Sequence, residues 1–331
     1  MEHILQVHDL CVEYHTKQGT VRPVRHVSFS VNQGETLGIV GESGCGKSTA
    51  SLAVMRLLPE NRSEIAGGEM LFKGQDLARM PEKQLRQLRG NRLSMIFQEP
   101  MTSLNPVFTI GDQLSQPLRR HTTLGREAIR NRMVEILRQA GIPRAESILD
   151  EYPHQLSGGM RQRVMICMAI VCRPELLIAD EPTTALDVTI QAQILDLLKK
   201  IRDKNRMAMI FITHDLGVVA EICDRVMVMY AGQAVEQSDI GTFFDRPAHP
   251  YSQGLLAAMP KKDARKQELS TIPGSVPSLT ELPKGCYFCN RCSRAFDRCR
   301  TEPAPMVRLP DGRLCRCWLY ADKGEVIPDG R

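Results

Sequence analysis

The sequence predicts an α/β fold, and three observations carry that prediction. Continuous apolar runs at Thr36-Leu-Gly-Ile-Val40, Leu176-Leu-Ile-Ala179 and Met207-Ala-Met-Ile-Phe-Ile212 read as strands buried on both faces. Stretches of helical periodicity lie between them, and parallel strands alternating with helices make an α/β core. A glycine-rich turn follows the first run directly and opens an apolar helix, Ala50 to Leu58.

Along the chain, residues 4 to 31 come first. Ile4, Val7, Leu10, Val12 and Tyr14, then Val24, Val27, Phe29 and Val31, alternate with polar neighbours, the pattern of antiparallel strands opening a domain. Arg126 to Ala140 gathers Ile129, Met133, Ile136, Leu137 and Ala140 on one face of a surface helix, and Gln191 to Arg202 repeats this with Ile194, Leu197, Leu198 and Ile201. Asp224 to Gln237 is strand-like around an Ala231-Gly232 turn. After about Pro260 the texture changes: residues 261–266 are charged, prolines stand at 273, 277, 283, 303 and 305, and extended apolar runs end. The expected division is a domain of residues 1–260 and a small Cys-rich C-terminal domain of residues 261–331.

With 331 residues, 42% hydrophobic and 24% charged, and a mean hydropathy of −0.23, the chain is not mainly disordered, collagen-like or coiled-coil. Its net charge of +5 is too small and too spread to name a partner. Apolar stretches such as Val164 to Val171 fall well short of the ~20 residues that span a bilayer. Met1-Glu-His does not open a signal peptide, so the expected compartment is the cytoplasm. Of the 11 cysteines, Cys11, Cys45, Cys167, Cys172 and Cys223 are scattered, whereas six fall between Cys286 and Cys317. In a reducing compartment such a cluster points to a metal rather than to disulfides.

Gly41-Glu-Ser43-Gly44-Cys45-Gly46-Lys47-Ser48-Thr49 fits the phosphate-loop pattern, after a buried strand and before a helix. Its glycines let backbone N–H groups converge on phosphate oxygens; Lys47 is expected to reach the β and γ phosphates and Ser48 to ligate Mg²⁺. Leu176-Leu-Ile-Ala-Asp180-Glu181 ends a strand in two acids, where open α/β sheets place ligand-binding groups. Asp180 would hold Mg²⁺ through water and Glu181 would polarise the attacking water. Leu156-Ser157-Gly158-Gly159-Met-Arg-Gln162 is a second glycine-rich helix start able to bind phosphate, and one nucleotide rarely needs two.

At this point the sequence resembles the ATP-binding cassette (ABC) ATPases, whose signature is Leu-Ser-Gly-Gly-x-x-Gln, from about residue 4 to 260. The resemblance implies a mixed sheet with an antiparallel β subdomain and a helical subdomain at about 98–170. It also implies ATP and Mg²⁺, with Tyr14 stacking on adenine, Gln98 sensing Mg²⁺ and the membrane partner, Asp187 in a loop crossing to the opposite subunit, and His214 contacting the γ phosphate. Cassettes of this family meet head to tail, so Ser157, Gly158, Gly159 and Gln162 would face ATP held by Lys47 of another subunit. Singly, Gln98 is an ordinary loop residue and His214 an ordinary strand-end histidine; their order and spacing carry the weight.

Arg246-Pro-Ala-His249-Pro250-Tyr251, Gln98-Glu-Pro-Met-Thr-Ser-Leu-Asn-Pro106 and Ile272-Pro-Gly-Ser-Val-Pro277 are similar to the oligopeptide, dipeptide and nickel branch of bacterial importers. That branch implies an ATPase driving peptide uptake at the cytoplasmic face of the inner membrane, paired with a related ATPase rather than with itself. Two transmembrane permease subunits and, indirectly, a solute-binding protein complete the expected assembly. Nickel or another small solute is the alternative cargo. A soluble cassette acting on nucleic acid or the ribosome is the alternative function; its best argument is the arginine-rich tail, but the chain has one cassette and no coiled-coil insert, and no nucleic acid is expected.

Between Cys286 and Cys317, seven arginines oppose three acids, an arrangement expected to lower the thiol pKa values. Close thiolate spacing suits zinc or an iron–sulfur cluster. Resemblance to dipeptide-type members implies a [4Fe-4S] cluster on Cys286, Cys292, Cys299 and Cys317, with Cys289 or Cys315 as alternative ligands and zinc as the alternative metal.

Overall fold

The computed structural model describes residues 2–17, 19–98, 104–184, 187–259 and 271–328. They fall into two compact units: Met1–Ile4 with Asn32–Glu35 and Arg79–Ile212, and Leu5–Val31 with Thr36–Ala78 and Thr213–Arg331.

The second unit begins with the expected alternating strands, β1 His3–Thr16 and β2 Gly19–Asn32. They lie beside β4 Ser63–Phe72 and β5 Gln75–Asp76 in the order β2-β1-β4-β5. Val7, Leu10, Val12, Val24, Val27 and Val31 are buried. β1 and β4 run antiparallel with Leu5 opposite Phe72 and Tyr14 opposite Ser63, and the register shifts at Cys11.

A second sheet centres on β3 Thr36–Val40, buried at every position. It pairs parallel with β9 Arg225–Tyr230, which turns through Ala231 and Gly232, both with positive φ, into antiparallel β10 Gln233–Asp239. The C-terminal segment continues this sheet: β12 Leu314–Arg316 pairs with β10, β11 Met306–Arg308 with β12, and β13 Glu325–Ile327 with β11. Cys315 stands opposite Glu236, within a cluster of Ala248, Val307, Leu309 and Cys317. Residues 213–259 and 271–328 therefore belong to one compact unit, because strand pairing crosses the composition change at residue 260.

In the first unit, β6 Leu93–Ile96, β7 Leu176–Asp180 and β8 Ala208–Ile212 are parallel neighbours. Helices Ile110–His121, Arg126–Gln139, Ala145–Ile148 and Gly158–Ile170 pack against one another, and the last also against β6. The Arg126–Gln139 helix buries Ile129, Met133, Ile136 and Leu137, the face its periodicity predicts.

Two helices start earlier than expected. The one after the phosphate loop runs Lys47–Val54, because Gly46 serves as its N-cap and Arg56 takes a left-handed conformation just past its end. The other runs Val188–Asn205 because the Asp187 side chain accepts the Ile190 N–H at 2.9 Å, capping three residues before the first apolar contact. Among the described residues no helix is long and apolar enough to cross a membrane.

Candidate functional site

In the second unit the phosphate loop leaves the tip of β3 and closes on the Lys47–Val54 helix. Gly46 has φ 100°, and a Cβ there would run into the Pro23 carbonyl, so the position accepts only glycine. Lys47 is buried, its ammonium donating to the carbonyls of Gly41 (2.8 Å) and Glu42 (3.1 Å). Those are the bonds a phosphate would replace. Ser43 and Gly44 are exposed, and Ser48 and Thr49 half-buried in the first helical turn. Cys45 is buried, which raises its pKa against the pull of Lys47, and its carbonyl accepts from Gly232 N–H at 3.1 Å. Tyr14 is part-exposed on β1. His214 is exposed after β8, one residue before Asp215, whose carboxylate caps the Leu216–Ile222 helix through Gly217 N–H at 2.8 Å.

The first unit carries the acids. Asp180 ends β7 and is 3% exposed. Glu181 takes φ 48°, a conformation uncommon outside glycine, and its N–H bonds the Ile212 carbonyl at 2.9 Å. Its carboxylate accepts from Gln98 Nε2 at 3.3 Å and from Thr184 Oγ1 at 2.8 Å, so two residues singled out 83 positions apart meet at one carboxylate. Strain of this kind persists where surrounding bonds hold it and concentrates at functional sites.

The Leu-Ser-Gly-Gly segment opens the Gly158–Ile170 helix. Ser157 Oγ accepts the Met160 N–H at 3.3 Å as N-cap, while Gly158 has nothing within 4 Å of where a Cβ would lie. Gly159 packs against Ile190 in the first turn of the helix that Asp187 caps. Gln162 is 2% exposed; its amide N–H₂ donates to the Pro182 carbonyl, and its Oε1 has no hydrogen-bond partner. Ala185 and Leu186, and residues 99–103 of the Gln98-to-Pro106 motif, lie outside the described residues.

The His249-Pro250-Tyr251 segment has a structural part that its local sequence does not announce. It supports the phosphate loop. Glu236, fully buried, accepts the N–H groups of Ala248 (2.8 Å) and His249 (2.7 Å), and burial raises its pKa. His249 is buried too, which pushes its pKa down to about 3 and keeps it neutral; its Nδ1 accepts the Tyr251 N–H at 3.0 Å and caps the Pro250–Ala257 helix. Tyr251 in turn accepts the Glu42 N–H on its hydroxyl at 3.0 Å. Its ring packs with Tyr230 and Phe288, at centroid distances of 4.8 and 5.4 Å. Over these rings lies Arg291, which binds both carboxylate oxygens of Glu42 at 3.0 and 3.1 Å. No local pattern marks Arg291, since Glu42 and Tyr230 are far away in sequence.

In the tail, Cys286 N–H donates to the Cys299 carbonyl (2.8 Å) and Cys289 N–H to that of Cys286 (3.0 Å). Cys317 feels the charges of Cys292 and Cys299, and Cys286 those of Cys317, Cys299 and Cys289. The expected lowering of their pKa values is reversed. Burial pushes Cys286 up to about 12 and Cys317 to about 11, and raises Cys289, Cys292 and Cys315 as well. Desolvation outweighs the pull of Arg300 on Cys289, of Arg294 on Cys292 and Cys317 and of Arg313 on Cys315, while Arg298 is engaged with Glu302 and the Trp318 ring, Arg313 with Asp311 and Arg316 with the Ala234 and Ala304 carbonyls.

Comparisons with known proteins agree with this geometry. Residues 24–184 match the ABC transporter family, and residues 235–299 match the oligopeptide/dipeptide transporter C-terminal region. The chain is 49% identical to the dipeptide transport ATP-binding protein DppD of Bacillus subtilis (strain 168), covering 98% of this chain and 97% of that one. It is 50% identical to DppD of Escherichia coli (strain K12), over 96% and 97%, and 48% identical to the oligopeptide transport ATP-binding protein AppD of Bacillus subtilis (strain 168), over 98% and 99%. Among solved structures, the ATP-binding cassette MJ0796 in a post-hydrolysis dimer bound to ADP and Pi superposes with a TM-score of 0.64 at 26% identity, covering 71% of this chain and 98% of that one. CbiO1 of Clostridium perfringens gives 0.63 at 28% identity, over 75% and 93%. With near-full-length identity to curated relatives added to a phosphate loop, a strand-end acid pair and a Leu-Ser-Gly-Gly helix start, the chain belongs to the ATP-binding cassette transporter family, in its oligopeptide/dipeptide branch.

Proposed function

We propose that this chain hydrolyses ATP to drive uptake of di- and oligopeptides, as a subunit bound peripherally at the cytoplasmic face of the inner membrane. The observation that carries the hydrolytic reading is the Glu181 carboxylate, held at a strand end with Gln98 and Thr184 hydrogen-bonded to it. Glu181 takes the proton of the attacking water and Gln98 orients that water; such a base contributes roughly 10²- to 10⁴-fold. Lys47 exchanges the Gly41 and Glu42 carbonyls for phosphate oxygens, and the phosphate-loop glycines, Ser43, Cys45 and Thr49 present the surrounding backbone. Ser48, Gln98 and Asp180 supply the hard oxygen donors that suit Mg²⁺, which when bound neutralises phosphate charge. Tyr14 stacks on the adenine and His214 contacts the γ phosphate. Ser157, Gly158, Gly159, Gln162 and Asp187 face the nucleotide of a second, related ATPase. Two permease subunits and, through them, a solute-binding protein complete the importer. The names of the similar proteins support dipeptides and oligopeptides as cargo.

Cells whose sole copy carries Glu181→Gln are expected to lose uptake of a labelled dipeptide while the variant still binds ATP. Undiminished uptake would remove Glu181 from the mechanism.

For the cysteine tail we propose a [4Fe-4S] cluster on Cys286, Cys292, Cys299 and Cys317. The resemblance of the tail to dipeptide-type members favours the cluster over zinc, and these thiols influence one another, Cys286 feeling the charges of Cys317 and Cys299 and Cys317 those of Cys292 and Cys299. Cys315, buried in the apolar cluster beside β10, fits a core role, and Cys289 is the alternative ligand. Protein purified without oxygen is expected to carry about four irons per chain, and Cys292→Ser to carry fewer. Stoichiometric zinc with no iron would reverse the assignment.

A further inference from the structure

Glu42 places a carboxylate inside an anion-binding loop. Its backbone belongs to the loop, its carbonyl receiving Lys47 and its N–H bonded to Tyr251. A free carboxylate there would repel the triphosphate the loop is shaped to receive. Both of its oxygens instead lie on Arg291 Nη1.

Arg291 is clamped before it meets Glu42. Its side chain is 7% exposed. Nε donates to the Pro273 carbonyl at 2.9 Å, and the guanidinium also reaches the Tyr230 hydroxyl (3.4 Å) and the Ile272 carbonyl (3.5 Å). The rings of Tyr230 and Phe288 lie beneath it, at 5.8 and 6.0 Å. Lysine, a point charge on a flexible stem, could not hold this set of partners. Arg291 also belongs to the cysteine-bearing turn, its N–H donating to the Phe288 carbonyl at 3.0 Å, so the fold of that turn aims the guanidinium.

We propose that Arg291 is a positioning residue for the nucleotide: it neutralises the Glu42 carboxylate and holds it aside, keeping the phosphate cradle open to ATP. This rests on the phosphate loop being the ATP site, and gives the C-terminal segment a direct part in nucleotide binding.

The test is ATP affinity of the full-length chain, by titration with a fluorescent ATP analogue, alongside thermal melting without nucleotide. Arg291→Met is expected to weaken binding about tenfold, the equivalent of about 1.4 kcal/mol. Adding Glu42→Gln to that variant is expected to restore most of the loss, since no charge then needs holding aside. Arg291→Lys is expected to fall between wild type and Arg291→Met, and to be restored by Glu42→Gln in the same way. Rescue is the readout a merely structural role would not produce. Wild-type affinity in Arg291→Met overturns the proposal, as does a loss that Glu42→Gln leaves in place. Should Arg291→Met not fold, the Arg291→Lys pair decides on the same terms. A wild-type chain that bound no ATP would sink the nucleotide reading, and the proposal with it.

Discussion

The chain contains two glycine-rich helix starts, and they are finished to different degrees. At the phosphate loop, Lys47 is bonded to the loop's own carbonyls, the Glu42 side chain is held by Arg291 and its N–H by Tyr251, and a Cβ at Gly46 would strike Pro23. At the Leu-Ser-Gly-Gly start, Ser157 caps its own helix, but Gly158 faces open space and both are exposed. Both offer N–H groups and a helix dipole to an anion. The first is backed by buried residues of its own compact unit, with Ser43 and Gly44 exposed; the second has no such backing at Gly158, the arrangement the proposed head-to-tail pairing calls for.

Glycine substitutions should break this symmetry most visibly. Gly46→Ala forces a left-handed backbone and a collision with Pro23, and is expected to cost about 2–3 kcal/mol and to abolish ATP binding. Gly158→Ala meets no atom, so the melting temperature of the lone chain should stay level or rise slightly. ATP hydrolysis in the assembled transporter should nevertheless fall. Equal melting losses in the two variants would erase the distinction between a backed and an open helix start.

The support beneath the phosphate loop predicts a pH dependence that the open start lacks. His249 has a folded pKa of about 3 and titrates near 6.5 when unfolded, so below pH 6.5 the unfolded state binds the extra proton. Stability contributed by this site is therefore complete above about pH 6.5 and drains as pH falls toward 3, by about 1.4 kcal/mol per pH unit. Glu236, whose pKa is raised, works in the opposite sense, losing stability as pH climbs above its unfolded value. Between pH 6.5 and 5, His249→Asn should melt with a shallower pH slope than the wild type. Parallel slopes would show that His249 titrates freely.

The smallest effect belongs to Ser157. Removing its cap in Ser157→Ala should cost about 1 kcal/mol, read as a lower midpoint in chemical denaturation, with ATP affinity of the lone chain unchanged. A drop in that affinity would mean that Ser157 serves the nucleotide of its own chain.

Much of the molecule was legible because the signals are local. A run such as Thr36–Val40 reads as a strand buried on both faces, as it proves to be, and the glycine-lysine turn after it fits the phosphate-loop pattern. Gln98 and Glu181 were singled out by motif and do meet. What escaped was β4, interrupted by Gly67 and Gly68, and the three-residue strands β11 to β13, too short to carry a period. The tail cysteines misled in one respect: nearby arginines suggested lowered pKa values, but proximity in sequence says nothing about burial, whose desolvation raises them.

By itself, the sequence determined the two glycine-rich helix starts, the acid pair ending β7 and the family to which the chain belongs. The helix starts and the acid pair depend on residues within a few positions of one another, whose spacing imposes the backbone geometry, and the family rests on the order of such local motifs along the chain. Only the tertiary structure decided that the C-terminal segment extends the β10 edge, that Tyr251 underpins the phosphate loop and that Arg291 reaches Glu42 across 249 residues. The physical reason is that a hydrogen bond or ion pair is blind to sequence separation. It forms where folding brings a donor and an acceptor together out of water, and no local pattern records that meeting.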